Sequence, residues 1–181
     1  MLAQDWLVVI DMQVVFGEPG SAWFTPGYPT IEPTVERLVD QFGERVVFTR
    51  FVAPERPEGA WVAYYEEWPF ALVPSNDHLY DLMPAFADSA AQVISRPAFG
   101  KWDGELAGIL GADATMHLVG VSTDCCVLST ALAAADAGVR VRVVADACAG
   151  VSDAAHERAL TAMALYGPLI ELTTAAAVLG R

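Results

Sequence analysis

The sequence predicts a three-layer α/β/α fold in which a six-stranded parallel sheet carries helices on both faces, within one domain spanning residues 1–181. Two observations predict this class. Short segments that are apolar on both faces recur along the chain, as strands of a covered sheet do. Segments with helical periodicity separate several of them, and this alternation is typical of parallel sheets with right-handed crossovers.

The predicted strands are short and partly β-branched. They are Trp6–Asp11, Arg45–Arg50, Gln92–Ser95, Met116–Val121, Val139–Ala145 and Leu169–Leu172. The predicted helices are Ile31–Phe42, Gly104–Leu110, Val127–Ala137 and Asp153–Tyr166. In the first of these helices the apolar residues 31, 35, 38, 39 and 42 form one stripe. Gly138 fits the position that ends the third.

The segment Phe51–Met83 interrupts the alternation. It is rich in proline and aromatic residues, too irregular for one helix and too apolar for a linker. We interpret it as a long insertion folded over one end of the sheet.

Composition and charge exclude several classes of function. With 54% hydrophobic and 18% charged residues, the chain is expected to be globular. A net charge of −13 disfavours nucleic acid or an anionic membrane as partner. No apolar run approaches the roughly 20 residues of a membrane span, and Met1–Trp6 lacks the positive region of a signal peptide. Three cysteines, two of them adjacent, form no disulfide framework, so we expect a cytoplasmic protein.

The predicted chemistry lies at the carboxyl ends of the strands. If the strands follow the order 3-2-1-4-5-6, the first and fourth are neighbours where the order reverses, and ligands bind at that point. Asp11 ends the first strand, and Cys126 follows the fourth at the start of a helix. A thiol at a helix N-terminus lies at the positive end of the dipole, which suits a nucleophile. Lys101 is the only lysine in the chain, and arginine does not replace lysine where a compact ammonium is needed.

Each candidate also has an ordinary structural interpretation. Asp11 fits a strand-end residue that caps the next turn, and Lys101 fits a solvated loop residue. Cys126 fits the small buried hydrophobe that a free cysteine usually is, as do Cys125 and Cys148.

Other known motifs are missing. The first strand is followed by neither G-x-G-x-x-G nor a P-loop. The three histidines are scattered, with none near the thiol, and no paired histidine and aspartate spacing indicates a metal site. We therefore expect no cofactor and no metal.

Two stretches together resemble motifs of the isochorismatase-like cysteine hydrolase superfamily. Asp11-Met-Gln-Val-Val-Phe16 is similar to D-x-Q-x-x-F. Gly120-Val-Ser-Thr-Asp-Cys-Cys-Val-Leu-Ser-Thr-Ala131 is similar to G-V-x-T-x-x-C-V-x-x-T-A. The likeness continues at Ala133–Ala137, Val144–Asp146 and His156–Leu160, and so covers nearly the whole chain.

The resemblance implies a catalytic triad of Asp11, Lys101 and Cys126, with Cys126 as the nucleophile. It implies a cis peptide bond between Val121 and Ser122, which turns the backbone amides of Ser122 and Cys126 toward an oxyanion. It also implies the six-stranded fold predicted from the alternation of segments.

Two features depart from the family pattern. Counted back from Gly104, the usual lysine position falls nearer Arg96 than Lys101, so Arg96 is the alternative basic residue. Nicotinamidases of the superfamily carry metal ligands of D-x-H type after the second strand, where this chain has Thr49–Pro54. This difference argues against a nicotinamidase and against a metal requirement.

The predicted substrate-contacting residues are mostly aromatic. They are Phe16, Trp61, Tyr65, Trp68 and Cys125. Four aromatic residues of the insertion fit a roof over the pocket, ordinary packing or an oligomer interface equally well. They are Trp61, Tyr64, Tyr65 and Trp68. A roof would favour a flat or apolar substrate.

We therefore expect a metal-independent amidohydrolase that cleaves a C–N bond in a small amide, carbamoyl or ureido compound through a thioester on Cys126. In this mechanism Asp11 takes the thiol proton and Lys101 stabilises the thiolate. The alternatives are an isochorismatase-type hydrolase of an enol ether and a non-catalytic module that binds a small molecule. Arg50 fits either a substrate carboxylate or a structural ion pair. The expected assembly is a homo-oligomer, a dimer or tetramer.

Overall fold

The computed structural model describes residues 5–89 and 92–180 and contains a six-stranded sheet within them. The strands are β1 (Asp5–Ile10), β2 (Val46–Phe51), β3 (Val93–Arg96), β4 (Thr115–Val121), β5 (Arg140–Ala149) and β6 (Ile170–Thr173). Their order is β3-β2-β1-β4-β5-β6, and all neighbours are parallel. The predicted fold class and strand order are confirmed.

β5 is longer than predicted. It runs past Ala145 because Cys148 and Ala149 pair with Gly120 and Val121 of β4. This pairing resumes after an irregularity in which residues 144–147 of β5 stand opposite the single residue Val119 of β4, and such irregularities leave no periodic signal in the sequence.

The helices that connect these strands vary widely in length. They are α1 (Val14–Gly17), α2 (Tyr28–Phe42), α3 (Ala60–Glu67), α4 (Pro84–Ala87), α5 (Gly104–Leu110), α6 (Leu128–Asp136), α7 (Asp153–Ala164) and α8 (Ala175–Val178). α2 begins before the predicted Ile31 because a proline in its first turn needs no hydrogen-bond acceptor. Among the described helices, none has both the length and the apolar composition needed to cross a bilayer.

The sheet buries a separate apolar core on each face. Side-chain alternation along β1 sends Leu7 and Val9 into one core and Val8 and Ile10 into the other. α2 covers the first core with its buried stripe, and α5, α6 and α7 cover the second. The three layers position the carboxyl ends of β1 and β4 beside each other at the centre of the sheet.

The segment between β2 and β3 folds over the first core and is anchored by Gln13, which follows β1. The Gln13 amide nitrogen donates to the carbonyl oxygens of Phe51, at 3.0 Å, and Tyr80, at 2.9 Å. Its amide oxygen accepts from the backbone N–H of Phe51 at 2.7 Å. Tyr65 and Phe86 of the segment are buried in the same core. Because Gln13 is fully buried and bonded through both amide atoms, it fixes the insertion to the end of the sheet.

His117 is a buried imidazole within β4. It is 1% exposed, and its ring packs edge-on against Phe42 with centroids 5.2 Å apart. Nε2 lies 3.9 Å from the Asp5 carboxylate, beyond hydrogen-bond distance. Burial lowers the pKa of His117 from 6.5 to about 4, and the Asp5 charge offsets only part of this shift. Between these two pKa values His117 is protonated in the unfolded chain but not in the folded chain. The free energy of unfolding therefore falls as the pH drops from about 6.5 toward 4.

We expect replacement of His117 by phenylalanine to remove much of this acid sensitivity. From this group the wild type should lose on the order of 2–3 kcal/mol of unfolding free energy between about pH 7 and about pH 4.5. Urea unfolding at both pH values measures the loss. The control is His78→Gln, which alters an exposed imidazole and should leave the loss undiminished, because the hydrogen bond to Asp81 raises the pKa of His78 and so opposes acid destabilisation. An undiminished loss in His117→Phe would assign the effect to other groups.

Candidate active site

A glycine allows the ends of β1 and β4 to approach closely. Gly120 has a φ of 109°, and a Cβ there would lie only 2.1 Å from the carbonyl oxygen of Ile10. Glycine alone fits this position. The residue after Ile10 is Asp11, whose φ of 50° lies in the left-handed region that aspartate tolerates better than most residues. The backbone at Asp11 is thus in an uncommon conformation of the kind that concentrates at functional sites.

Asp11 is fully buried, and its carboxylate is held from two sides. The Thr49 hydroxyl of β2 donates to Oδ1 at 2.6 Å and accepts from the Asp11 N–H at 3.2 Å. Nζ of Lys101 lies 3.0 Å from Oδ2 in an ion pair. Among the described residues Oδ2 accepts no aligned hydrogen bond, so it retains a lone pair that can take a proton.

Lys101 reaches Asp11 from the loop between β3 and α5 and has no exposed side-chain surface. Its Nζ donates to the carbonyl oxygen of Ala98 at 2.8 Å and lies 5.1 Å from the centre of the Phe51 ring. Its backbone N–H donates to Thr130 Oγ1 of α6 at 3.0 Å. A buried ammonium requires such partners, because desolvation of the charge is costly. The structure therefore brings the predicted Lys101 and Asp11 together.

Arg96, the alternative basic residue, lies apart from this pair. Its guanidinium donates to the carboxylates of Asp103 and Glu105 and to the backbone carbonyl of Ser95. The bond from Arg96 holds the pKa of Asp103 below its usual value, and Asp103 caps the start of α5. Arg96 therefore forms a structural ion pair at the base of α5, and Lys101 is the basic residue in contact with Asp11.

Cys126 lies inside a π-helical turn and not at the first position of an α-helix. The turn covers Thr123–Val127 and follows a cis peptide bond between Val121 and Ser122. α6 begins only at Leu128. The predicted helix start at Val127 is thus corrected, because a single π turn joined to an α-helix has no distinct hydrophobic period.

Side-chain hydrogen bonds hold this turn against its neighbours. Asp124 Oδ1 accepts from the Ser122 hydroxyl at 2.7 Å and from the backbone N–H of Val151 at 3.0 Å. The Thr123 hydroxyl lies 2.9 Å from Nδ1 of His156 in α7. The cysteine-bearing turn, the loop after β5 and α7 are therefore linked into one unit. His156, which the sequence gave no role, supports the turn.

The Cys126 side chain is almost completely buried, and this decides its protonation. Burial raises the pKa of the Cys126 thiol well above its usual range, and the Asp11 carboxylate raises it further. Lys101 opposes the rise without reversing it. Desolvation therefore outweighs the opposing effect of Lys101 on this pKa. This direction favours the neutral thiol, so attack by the sulfur would call for a base that takes its proton.

A cavity of about 370 Å³ lies against the cysteine-bearing turn. Its size is within the range of pockets that bind small molecules. The lining residues are Phe16, Ala22, Trp23, Phe24, Thr25, Phe51, Tyr64, Trp68, Phe99, Ser122, Cys125, Cys126 and Val151. Trp23 stacks on Phe16 with centroids 6.0 Å apart and meets Trp68 edge-on at 6.1 Å. The wall is thus a packed aromatic surface with the cysteines at one side.

Three of the five predicted substrate-contacting residues line the cavity, and two do not. Those in the wall are Phe16, Trp68 and Cys125. Tyr65 is 2% exposed and belongs to the core beneath α3. Trp61 packs against the rings of Tyr64 and Tyr65. Trp61 and Tyr65 do not line the cavity, because Tyr64 of α3 and Trp68, the residue that follows this helix, face it instead.

Several residues of the site carry no motif. Trp23 comes from the loop between α1 and α2, and Phe99 comes from the loop before Lys101. The sequence gave only a weak indication that Thr49 belongs to the site. It is a polar residue in the buried strand β2, and a buried hydroxyl needs a hydrogen-bond partner. Its partner is Asp11, which no sequence spacing indicates.

The end of β2 does not fit the D-x-H type of metal site. Thr49 is engaged with Asp11, and the Arg50 guanidinium donates to the Ser95 hydroxyl. Phe51 lines the cavity. No group of three or more histidine, cysteine, aspartate or glutamate side chains placed to hold a metal ion occurs among the described residues. Arg50 therefore has a structural partner in Ser95. The residues at the end of β2 supply no metal ligands of this type.

Comparison with protein families agrees with this arrangement. A family model described as Isochorismatase domain matches residues 5–177. The chain belongs to the isochorismatase family. The resemblance seen in the motifs is confirmed, and this isochorismatase-family protein is a hydrolase. Comparison with curated protein sequences gives no match.

Solved structures share this isochorismatase-family fold. A cysteine hydrolase from Pseudomonas syringae pv. phaseolicola 1448A superposes with a TM-score of 0.84 at 22% identity, covering 98% of this chain and 91% of that chain. The pyrazinamidase of Pyrococcus horikoshii, in complex with zinc, has a TM-score of 0.72 at 30% identity, covering 94% and 99%. A nicotinamidase pyrazinamidase from Acinetobacter baumanii has a TM-score of 0.79 at 25% identity, covering 98% and 99%.

We expect Lys101→Met to destabilise the protein by about 3–5 kcal/mol, because it leaves the buried Asp11 charge unpaired. The double variant Asp11→Asn/Lys101→Met should recover much of this loss, since it removes both charges and asparagine accepts the left-handed backbone. Urea unfolding followed by tryptophan fluorescence gives the free energies.

The matched control is Arg96→Ala, which breaks a partly exposed ion pair and should cost no more than about 1 kcal/mol. A Lys101→Met variant as stable as Arg96→Ala would contradict the buried pair, as would a double variant less stable than Lys101→Met alone.

Proposed function

We propose that this hydrolase cleaves a carbon–nitrogen bond in a small amide, carbamoyl or ureido compound through a thioester on Cys126. The observation that carries the proposal is the grouping of a buried thiol, a buried carboxylate and a buried ammonium beside a cavity of ligand size. In this grouping Asp11 is the base, Lys101 its counter-ion and Cys126 the nucleophile. Two of the similar solved structures are named as hydrolases of amides.

The first half of the reaction forms the thioester. Asp11 Oδ2 takes the proton from the Cys126 thiol as Sγ bonds to the carbonyl carbon, and the carbonyl electron pair moves to oxygen. The resulting oxyanion lies near the backbone amides of Ser122 and Cys126, which stabilise it. The C–N bond then breaks, and protonated Asp11 gives its proton to the departing nitrogen. The raised pKa of Cys126 makes this coupled proton transfer necessary.

The second half returns the enzyme to its starting state. Water attacks the thioester carbon while Asp11 takes one of its protons. The C–S bond breaks, a carboxylic acid leaves, and Asp11 returns the proton to Sγ. In both halves the Lys101 ammonium lies 3.0 Å from Asp11 and stabilises its carboxylate, because both side chains are fully buried and an unpaired buried charge is costly.

Thr49 is the positioning residue for the base. Its hydroxyl fixes Oδ1 of Asp11 and so leaves Oδ2 as the oxygen that exchanges the proton. The short bond between Thr49 and Asp11 couples β2 to the end of β1, which restrains the carboxylate against rotation.

We expect Cys126→Ala to abolish ammonia release from carboxamides and ureides, with circular dichroism and thermal unfolding close to wild type. The reason is that this mechanism forms its thioester on the Cys126 sulfur, which the variant lacks. Cys148→Ala is the matched control, because that thiol is buried in the core, away from the cavity, and its removal should leave turnover near the wild-type rate. Turnover that survives in Cys126→Ala, including turnover of an enol ether such as isochorismate, would exclude the thioester mechanism.

We expect Asp11→Asn to separate thiol reactivity from hydrolysis. The Asp11 charge raises the pKa of Cys126, so its removal should lower that pKa and speed alkylation of Cys126 by iodoacetamide near neutral pH. Hydrolysis should nevertheless fall by at least about a hundredfold, because the base is lost.

Rates of alkylation across the pH range, with mass spectrometry to locate the label, measure the first effect. The control Asp40→Asn removes an exposed carboxylate of α2 and should change neither rate. Slower alkylation in Asp11→Asn would show that Asp11 promotes the thiolate at rest, contrary to the mechanism above.

A further inference from the structure

The part of the cavity wall formed by residues 5–89 and 92–180 bears no formal charge. None of these lining residues is aspartate, glutamate, lysine, arginine or histidine. The polar groups among them are neutral hydroxyls, thiols and the indole N–H groups of two tryptophans. A charged substituent on a substrate would therefore lose its hydration in this cavity without gaining an opposite charge, which is unfavourable.

Three basic residues that flank the cavity-lining segments of the chain already have polar partners. Lys101 is fully buried and paired with Asp11. The Arg50 guanidinium donates to Ser95, and the Arg96 guanidinium is bound to two carboxylates and a carbonyl group. No one of these three cations lines the cavity. A carboxylate on the substrate thus has no partner at the wall, and the net charge of −13 repels anions at longer range.

The aromatic rings of the wall favour an apolar group over a cation. Aromatic faces attract cations in general, but the Lys101 ammonium already lies 5.1 Å from the Phe51 ring. Trp23 meets Phe70 edge-on at 5.0 Å and Phe51 edge-on at 5.6 Å, so its ring is packed on several sides. Such rings bury flat apolar surface well.

We propose that the acyl group of the substrate is uncharged and apolar, as in an aryl or branched aliphatic carboxamide without ionisable substituents. This assignment rests on the proposed function only in taking the ligand to be an amide. The aromatic wall would select such uncharged amides and reject amides that carry a carboxylate.

The test compares three para-substituted benzamides whose substituents are neutral, negatively charged and positively charged. They are 4-methylbenzamide, 4-carbamoylbenzoate and 4-(trimethylammonio)benzamide. Calorimetry with the Cys126→Ala protein measures binding without turnover, and ammonia release by the wild type measures kcat/KM. We expect 4-methylbenzamide to bind at least about a hundredfold more tightly than the anion and at least about tenfold more tightly than the cation.

A positive charge added at the opening of the cavity should strengthen binding of the anionic amide. Val151 lines the cavity and is 56% exposed, so Val151→Arg places a guanidinium at the opening with little disturbance of the core. It should improve binding of 4-carbamoylbenzoate relative to 4-methylbenzamide by about tenfold. Val62→Arg is the matched control: Val62 is 46% exposed on α3 and lies outside the lining, so the same change in net charge should leave the preference unaltered.

The two measurements separate this inference from the proposed function. Selective binding of 4-methylbenzamide without Cys126-dependent ammonia release would keep the substrate class and refute the hydrolysis. Equal or tighter binding of either charged amide, or no binding of any of the three, would overturn the inference even if another amide is hydrolysed. An equal effect of Val62→Arg and Val151→Arg would show that net charge, and not the cavity wall, sets the preference.

Discussion

An ion pair with no exposed side-chain surface, between Asp11 and Lys101, is the interaction on which the rest of the site depends. Two opposite charges remain in a dry interior only if each is matched and further hydrogen-bonded. Thr49 supplies that bond to the carboxylate and Ala98 supplies it to the ammonium. The pair joins the end of β1 to the loop before α5. The close approach permitted by Gly120 brings β4, and with it the cysteine-bearing turn, to the same place.

The same burial determines how the thiol can react. At 3% exposure and near the Asp11 carboxylate, Cys126 has a raised pKa, and for this reason the proposed mechanism uses a base to take the thiol proton. The turn that carries Cys126 is held by Asp124 and His156, and its position relative to Asp11 follows from the parallel pairing of β1 with β4. Strand pairing and side-chain hydrogen bonds therefore both hold the cysteine-bearing turn beside Asp11.

The aromatic wall is assembled from five separate parts of the chain. These are α1 with Phe16, the loop after it with Trp23, β2 with Phe51, α3 with Tyr64, and the loop after β3 with Phe99. Gln13 connects the insertion to the end of β1, so the wall and Asp11 share one support. In a family whose fold is shared by hydrolases with different names, these loops are where differences in substrate are expected.

The sequence by itself determined the fold class, because strand–helix alternation is a local pattern in the chain. Its motifs pointed to Asp11 and Cys126 and left the basic residue open between Lys101 and Arg96. Tertiary structure alone decided between Lys101 and Arg96, since loop geometry sets which cation reaches Asp11. It also decided that Tyr64 and not Tyr65 faces the cavity, because the two are adjacent on one helix and packing chooses the face. The protonation of Cys126 likewise depends on burial, which no motif encodes.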